Sequence, residues 1–279
     1  MSEPEVHERA YAKVNLLLHV GRPRPDGLHP LCSIFASVDL ADDVRVRAAR
    51  GEADDVHSPG VDGPNLAAAA LAAFRERVPW LPALDVQIAK RIPVAAGLGG
   101  GSADAAAVLR AANRIGREPL DRAALHEIAS TLGSDVPSQV DPRHALVTGV
   151  GEAVEPIRLP ALALVLAPQT EGLRTAAVYE ELDRMEGWRE QLDPGAARAI
   201  AEAEPSTWAL ELENDLQPAA LALRPELAGV LDELRSAGAM AALVSGSGPT
   251  CFGLFTDLAA AGAAAEAVPG ALAVALRAR

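Results

Sequence analysis

The sequence predicts an α+β protein with two lobes, and three observations support this class. Strand-like and helix-like patterns are mixed in both halves of the chain, with no internal repeat. The 279 residues are enough for one large domain or two smaller ones. A composition of 49% hydrophobic and 23% charged residues is that of a globular protein, which excludes a disordered or collagen-like chain. We place the boundary near residues 152–160, giving domains over 1–155 and 156–279.

In the first half, apolar and β-prone residues predict a strand over 12–20. Alternation with period two predicts half-buried strands at 43–47 and 84–92. Helices are expected over 65–77, 102–114 and 120–132, with Asp121 placed to cap the last of these and Gly133 to end it. A glycine-rich loop over 93–101 precedes the second helix, and a short strand is expected at 146–148.

The second half continues the mixture. A buried strand is predicted over 161–167, followed by a helix over 175–185 and a polar helix over 193–204. Two further helices are expected over 216–223 and 225–237. Apolar runs at 241–245 and 250–255 flank a tight loop like two strands, and a last strand is predicted over 271–276.

The charges are unevenly distributed among residue types. The chain has 25 basic and 38 acidic residues and a net charge of −13, which argues against non-specific nucleic-acid binding but leaves a local basic cleft possible. Of the basic residues, 23 are arginine and only Lys13 and Lys90 are lysine. We interpret this as a preference for arginine wherever a positive charge is enough.

The sequence also predicts a cytoplasmic protein. The acidic, polar residues 1–8 are not typical of a secretory signal, and no uncharged apolar stretch reaches the ~18 residues of a membrane span. Cys32 and Cys251 have neither CxxC spacing nor a neighbouring histidine ligand. Two free thiols, no metal site and no membrane contact are therefore expected.

The most informative motif is the glycine-rich segment at 93–107. Four glycines within residues 97–101 let the backbone approach a ligand closely, so that several N–H groups can converge on phosphate oxygens. The helix expected from Ser102 would direct its N-terminal dipole at the same anion. The motif is neither a Walker A loop nor a Rossmann fingerprint, and the alternative is a flexible linker.

Three other segments carry candidate site residues. Lys13 and Asn15 are two apart in a predicted strand and so share one face, as in the wall of a site or in a solvated edge strand. Asp135 follows a glycine stop and is a candidate base for a hydroxyl, or a simple turn or cap residue. The loop 245–249 lies between two apolar strands and is either a hairpin or a second loop that faces substrate phosphates.

Taken together and in this order, these segments resemble the GHMP kinases over nearly the whole chain. Within that superfamily, the match narrows to a member that phosphorylates a polyol linked to cytidine diphosphate. The narrowing segments are Ala12-Lys13-Val14-Asn15-Leu16, Asp26-Gly27-Leu28-His29, Asn65-Leu66, 93–106, Gly133-Ser134-Asp135-Val136-Pro137, Gly149-Val150-Gly151-Glu152, 175–179, Asn214-Asp215 and Ser245-Gly246-Ser247-Gly248-Pro249.

The resemblance implies a two-lobed GHMP kinase fold with the active site in the cleft between the lobes. It implies ATP-dependent phosphorylation of the polyol's 2-hydroxyl, on the non-mevalonate route to isoprenoids. Asp135 would accept the hydroxyl proton, and Lys13 would stabilise Asp135 and the developing phosphate charge. ATP would be held by Asn65, Lys90, Pro93, Ala95, Ala96, Gly97, Leu98, Gly99, Gly100, Gly101, Ser102 and Ala103.

On the substrate side, the resemblance implies contacts from Asn15, Leu28, His29, Val150, Thr175, Tyr179, Gly246, Ser247 and Gly248, with Tyr179 stacked on the cytosine. Mg²⁺ is expected because it neutralises the triphosphate, with no assigned protein ligand and Ser102 only a weak candidate. The partner is thus a small molecule and not a nucleic acid or a membrane. The chain is expected to be a monomer or a weak homodimer.

Two departures from the family pattern lie on the substrate side. The family usually has Asp-Gly-Tyr-His where this chain has Leu28, and residues 137–144 lack the family's aromatic and glycines. One stacked base contributes ~1–3 kcal/mol, so loss of an aromatic partner can relax substrate choice. The alternatives are a divergent GHMP kinase with another hydroxyl substrate and a non-enzymatic nucleotide-binding paralogue.

Overall fold

The computed structural model describes residues 5–49, 51–61 and 63–278, so the first four residues of the acidic start fall outside it. The chain divides into two compact units that interleave along the sequence. The first comprises Met1–Ala12, Leu40–Val94 and Gly99–Pro142, and the second comprises Lys13–Asp39, Ala95–Leu98 and Arg143–Arg279. Two long paired strands, β1 (Val6–Val20) and β2 (Leu31–Ala48), contribute residues to both units.

In the first unit, the second part of β2 pairs antiparallel with β4 (Leu84–Ala89), and β3 (Asp55–His57) adds a parallel strand on the other side of β4. Four helices complete this unit: α1 (Leu66–Arg77), α2 (Gly100–Ile115), α3 (Arg122–Leu132) and α4 (Val136–Gln139).

The core of the first unit forms where α1 packs on α2. Phe74 and Leu71 of α1 and Leu109 of α2 are at most 1% exposed. Alanines occupy much of the buried face of α2, and their small side chains let the helices approach closely. An alanine-rich sequence therefore forms this core through backbone proximity and a few large anchors.

In the second unit, the first part of β2 pairs antiparallel with β5 (Ala145–Gly149), which pairs antiparallel with β6 (Ala153–Pro156). A separate sheet consists of β7 (Ala163–Ala167), β8 (Ala241–Val244), β9 (Cys251–Phe255) and β10 (Leu272–Ala275). Its strands are antiparallel and have the spatial order β10-β7-β9-β8. The helices are α5 (Thr175–Arg184), α6 (Pro194–Glu202), α7 (Trp208–Glu211), α8 (Gln217–Leu223), α9 (Leu227–Ser236) and α10 (Leu258–Ala267).

The predicted mixture of strands and helices is confirmed, with differences at the ends of elements. The Asp121 side chain caps α3 by accepting from the Ala124 N–H at 2.9 Å, and Gly133 ends the helix, as predicted. The strand predicted over 84–92 ends at Ala89. The helix predicted from Ser102 begins two residues earlier, at Gly100, because Gly99 in the left-handed conformation (φ 68°) already turns the chain into it.

The second unit takes in residues 13–39 and 95–98 as well as 143–279. The division into consecutive domains stays a prediction. Within the described ranges, every helix is too short or too polar to cross a membrane.

Candidate active site

The N-terminal turn of α2 is a ready anion site. The first bond of the helix runs from the Ala103 N–H to the Gly99 carbonyl at 2.9 Å, so the amides from Gly99 to Ser102 have no acceptor within the helix. The helix dipole gives this end a partial positive charge. No side chain caps the helix at Gly99. The geometry suits a phosphate, as expected from the sequence.

The loop before α2 is held tightly within the second unit. Gly97 has φ +77°, and a Cβ placed on it would lie 2.6 Å from the Ser245 carbonyl oxygen and 2.8 Å from that of Gly248. The Ser245 hydroxyl donates to the Gly97 carbonyl at 3.2 Å, and the Thr250 N–H donates to the Ala96 carbonyl at 3.3 Å. Glycine is thus required at position 97 both by the backbone angle and by the close approach of another chain segment. These contacts rule out the alternative of a flexible linker.

Lys13 and Asn15 form one buried polar chain on β1. The Lys13 ammonium donates to Asn15 Oδ1 at 2.7 Å, and Asn15 Nδ2 donates to the Ser33 hydroxyl at 2.9 Å. Ser33 in turn donates to the Leu17 carbonyl at 2.5 Å. The ammonium also lies 4.7 Å from the centre of the Phe35 ring. Both side chains belong to residues at most 5% exposed, so they do not form a solvated edge.

The loop between β8 and β9 lies beside this polar chain. It is a hairpin connection, yet a Cβ on Gly246 would come within 3.0 Å of Asn15 Oδ1 and 3.7 Å of Lys13 Nζ. Buried Asn214 donates to the Val244 and Gly246 carbonyls at 2.8 Å each. The hydroxyls of Thr175 and Ser247 are 3.0 Å apart. The structure therefore brings four predicted substrate residues, Asn15, Thr175, Gly246 and Ser247, to one place in the second unit.

A second group in this unit centres on His29. Its Nδ1 lies 2.8 Å from the Gly21 carbonyl, which fixes the proton on Nδ1 in the neutral ring, and its Nε2 lies 3.3 Å from Asp183 Oδ1. The rings of His29 and Tyr179 are 5.2 Å apart and tilted by 46°. Leu28, the residue before His29 in the sequence, is 52% exposed. Asp183 was missed by the sequence reasoning, although its position four residues after Tyr179 in a helix puts it on the same face.

Asp135 and Val150 lie in turns. Asp135 precedes α4 as its N-terminal flanking residue, and its carbonyl accepts the Ser138 hydroxyl at 2.7 Å; its side chain does not cap α4. The Val150 N–H donates to Glu152 Oε2 at 2.6 Å. Asp135 thus precedes its helix without capping it, in contrast to Asp121.

Lys90 has partners that the sequence analysis did not assign. Its ammonium lies 2.5 Å from Asp42 Oδ2 and 2.7 Å from Asp104 Oδ2. Asp42 Oδ1 accepts the N–H groups of Arg91 and Ile92 at 2.5 and 2.8 Å. Burial raises the pKa of the Asp104 carboxyl to about 7 against the attraction of Lys90. Burial acts to lower the pKa of Lys90, but the two carboxylates outweigh it and raise that pKa.

Asn65 has a local structural role. It is the N-cap of α1, and its Oδ1 accepts the Ala67 N–H at 2.9 Å. That leaves its Nδ2 as the atom available to a nucleotide. No group of three or more metal-ligating His, Cys, Asp or Glu side chains occurs among the described residues. The free thiols Cys32 and Cys251 are both buried, and burial raises their pKa values to about 11 and about 12.

The fold and the site define a class of protein. Residues 65–141 match the family described as GHMP kinases N terminal domain, and residues 188–274 match the one described as GHMP kinases C terminal. The resemblance to the GHMP kinases is thereby confirmed, and the protein is a small-molecule kinase of that class.

Similar proteins narrow this further. A 4-diphosphocytidyl-2-C-methyl-D-erythritol kinase from Anaeromyxobacter dehalogenans (strain 2CP-C) is 44% identical over 94% of this chain and 84% of its own length. A protein of the same name from Streptomyces coelicolor is 42% identical over 89% of this chain and 87% of its own length. A crystal structure of 4-(cytidine 5'-diphospho)-2C-methyl-D-erythritol kinase matches with a TM-score of 0.83 and 35% identity, over 98% of this chain and all of that one. The chain belongs to the family of the 4-diphosphocytidyl-2-C-methyl-D-erythritol kinases.

Proposed function

We propose that the protein transfers the γ-phosphoryl group of ATP to the 2-hydroxyl of 4-diphosphocytidyl-2-C-methyl-D-erythritol. Two observations together support this function. The first turn of α2 has no side-chain cap, so its amides are available to phosphate, and the similarity to kinases of this family extends over nearly the whole chain. Phosphoryl transfer needs alignment and electrostatic stabilisation more than covalent chemistry by the protein. A preformed anion site at a helix N-terminus supplies both.

In the proposed reaction, the oxygen of the substrate hydroxyl forms a bond to the γ-phosphorus of ATP. Asp135 accepts the proton that this hydroxyl loses. The bond from that phosphorus to the β,γ-bridging oxygen breaks, and ADP leaves with the electron pair. Lys13 stabilises the charge on the transferring group, and its bond to Asn15 holds the ammonium in place. The buried setting strengthens this attraction relative to water.

The phosphates of ATP would bind the amides of Gly99 to Ser102, three of which belong to glycines and so have no Cβ in the way of a ligand. Asn65, with a free amide nitrogen, is proposed on the nucleoside side. Mg²⁺ would arrive bound to the triphosphate, since the described part of the chain offers no cluster of ligands of its own. Its chemistry there is to neutralise phosphate charge.

On the acceptor side, we assign the cytidine to the group formed by His29 and Tyr179. The ring of Tyr179 supplies a stacking surface, and the Gly21 carbonyl orients the His29 imidazole by accepting from Nδ1. Asn15, Val150, Thr175 and the glycine-rich hairpin Gly246, Ser247 and Gly248 would contact the polyol and diphosphate. The cytoplasmic location and the monomeric or weakly dimeric state remain predictions from the sequence.

The test is a competition among acceptors. Purified protein with Mg²⁺ and ATP is given equal concentrations of the cytidyl polyol, homoserine and mevalonate, and each phosphorylated product is quantified by mass spectrometry. We expect product from the cytidyl polyol alone. Phosphorylation of another acceptor in preference, under conditions in which the Streptomyces coelicolor relative is active on its own substrate, contradicts the proposal.

One observation favours a second candidate, a kinase with relaxed acceptor choice. Leu28 is aliphatic and half-exposed next to His29, where an aromatic side chain would enclose a base on its second face. If the pocket is relaxed, Leu28→Tyr should lower KM for the cytidyl polyol by roughly 5- to 150-fold, the equivalent of ~1–3 kcal/mol of stacking, with KM for ATP unchanged. An unaltered KM for the polyol would show that Tyr179 alone is sufficient.

A further inference from the structure

The ion cluster of Asp42, Lys90 and Asp104 lies under the proposed phosphate site of the first unit. Asp42 is fully buried, Asp104 is 4% exposed, and the Lys90 side chain is 12% exposed. The three come from separate elements: Asp42 from β2, Lys90 from the residue after β4, and Asp104 from the second turn of α2. One ammonium thus links a strand, a strand end and a helix.

The cluster also controls the backbone at both ends of the glycine-rich loop. At the entry, Asp42 Oδ1 accepts the N–H groups of Arg91 and Ile92. At the exit, a Cβ on Gly100 would lie 3.0 Å from Ile92 Cγ2 and 3.4 Å from Lys90 Nζ. The first residue of α2 therefore lies close to the side chains of Ile92 and Lys90, with no room for a side chain of its own.

A cluster of this kind is not explained by stability alone. Burying charges costs several kcal/mol per ion in typical proteins, and well-packed apolar residues often do as well or better. Here two buried carboxylates share a single ammonium, so the negative charges outnumber the positive one within the cluster.

We propose that Asp42, Lys90 and Asp104 are positioning residues that hold the first turn of α2 in the orientation in which its amides bind the phosphates of ATP. This inference rests on the proposed function. Lys90 would then act on ATP indirectly, through the position of the α2 backbone, because its ammonium is bound by the Asp42 and Asp104 carboxylates. The cluster fixes the ATP side and leaves the acceptor side untouched.

The test compares Asp42→Asn with Asp43→Asn. Asparagine at 42 can still accept from the Arg91 and Ile92 amides, but it turns an N–H₂ group towards the Lys90 ammonium and so removes one anchor of that side chain. The neighbouring Asp43 forms ion pairs with Arg91 and Arg9, whose side chains are 59% and 45% exposed, and is the matched control. ATP binding is measured by calorimetry without acceptor, alongside both KM values and the thermal unfolding midpoint.

We expect Asp42→Asn to weaken ATP binding by about tenfold to a hundredfold, because the amides that bind the phosphates are no longer held in position. KM for the acceptor should not change in this variant. Asp43→Asn should behave like wild type in every measurement. Unchanged ATP affinity would overturn the proposal, as would a uniform loss of ATP affinity, acceptor affinity and thermal stability. If Asp42→Asn does not fold, the same measurements are made on Asp104→Asn, and the same results support or overturn the proposal. Since ATP binding is measured alone, failure to phosphorylate the acceptor counts only against the proposed function.

Discussion

At the scale of single residues, both lysines of the chain are engaged with polar partners, Lys13 in a buried position and Lys90 in a partly buried one. Lys13 lies in the chain of Asn15 and Ser33, and Lys90 lies between two carboxylates. The sequence indicated that these two residues were special because arginine is used everywhere else. It could not indicate their partners, since Asp42 lies 48 residues from Lys90 and nothing local links them.

Removing the proposed base should abolish transfer without removing the nucleotide. Asp135→Asn keeps the shape of the side chain but cannot accept the hydroxyl proton, so we expect kcat to fall by about 10²–10⁴-fold. ATP affinity measured by calorimetry should stay within about twofold of wild type. Asp121→Asn, at a helix cap where asparagine serves equally, is the matched control and should keep full activity. Turnover unaffected by Asp135→Asn would remove Asp135 from the mechanism.

The raised pKa of Asp104 predicts a particular pH dependence of stability. The unfolded carboxyl titrates near its ordinary pKa of 3.8 and the folded one at about 7, so the folded state binds more protons between these values. Its contribution to the free energy of unfolding is therefore present at low pH and declines as the pH rises from about 4 to about 7. Asp104→Asn removes this titration.

Urea denaturation of wild type and Asp104→Asn across that pH window measures the difference. We expect the free energy of unfolding of the variant to rise relative to that of wild type as the pH increases, whichever of the two proteins is more stable at the low end of the pH range. A constant difference between the two curves would show that the Asp104 pKa is not raised in the folded protein.

At the scale of elements, the parts governed by local chemistry were predictable. The cap at Asp121, the stop at Gly133 and the glycine-rich turn all follow from residue type. The start of α2 at Gly100 was not predicted, because glycine is a poor helix former and the left-handed conformation of Gly99 that begins the helix leaves no local pattern. Strands β3 and β6, of three and four residues, carry too little pattern to be seen without their partners.

The close contact at Gly97 gives a prediction for the loop as an element. Gly97→Ala places a Cβ 2.6 Å from the Ser245 carbonyl oxygen and forces an L-residue into φ +77°. We expect a loss of about 1–3 kcal/mol in the free energy of unfolding and weaker ATP binding, because the loop must move. Urea denaturation measures the first effect and calorimetry the second.

The matched control is Gly262→Ala in α10, where no neighbouring atom lies within 4 Å of the added carbon. That variant should be more stable by ~0.5–1 kcal/mol, since alanine favours a helix interior. Gly97→Ala with the stability and ATP affinity of wild type would mean that the loop is not held against the hairpin as described.

At the scale of the whole molecule, the α+β fold class was predictable from the sequence. The long-range pairing of the strands and the interleaving of the two units were not. The pairings of Leu31 with Gly149 and of Ala163 with Phe255 join residues about a hundred positions apart, and their register depends on packing that no local pattern records. The interleaving of the two units has the same origin, because β1 and β2 are long enough, at 15 and 18 residues, to serve both.

The most direct test of the whole account is the chemical identity of the product. Purified protein is incubated with Mg²⁺, ATP and 4-diphosphocytidyl-2-C-methyl-D-erythritol, and the products are followed by ³¹P and ¹³C NMR. We predict one new phosphomonoester resonance, formed in step with ADP, and phosphorus coupling to the methyl-bearing carbon of the polyol. ADP without a phosphomonoester, or a phosphate on another oxygen, would contradict it.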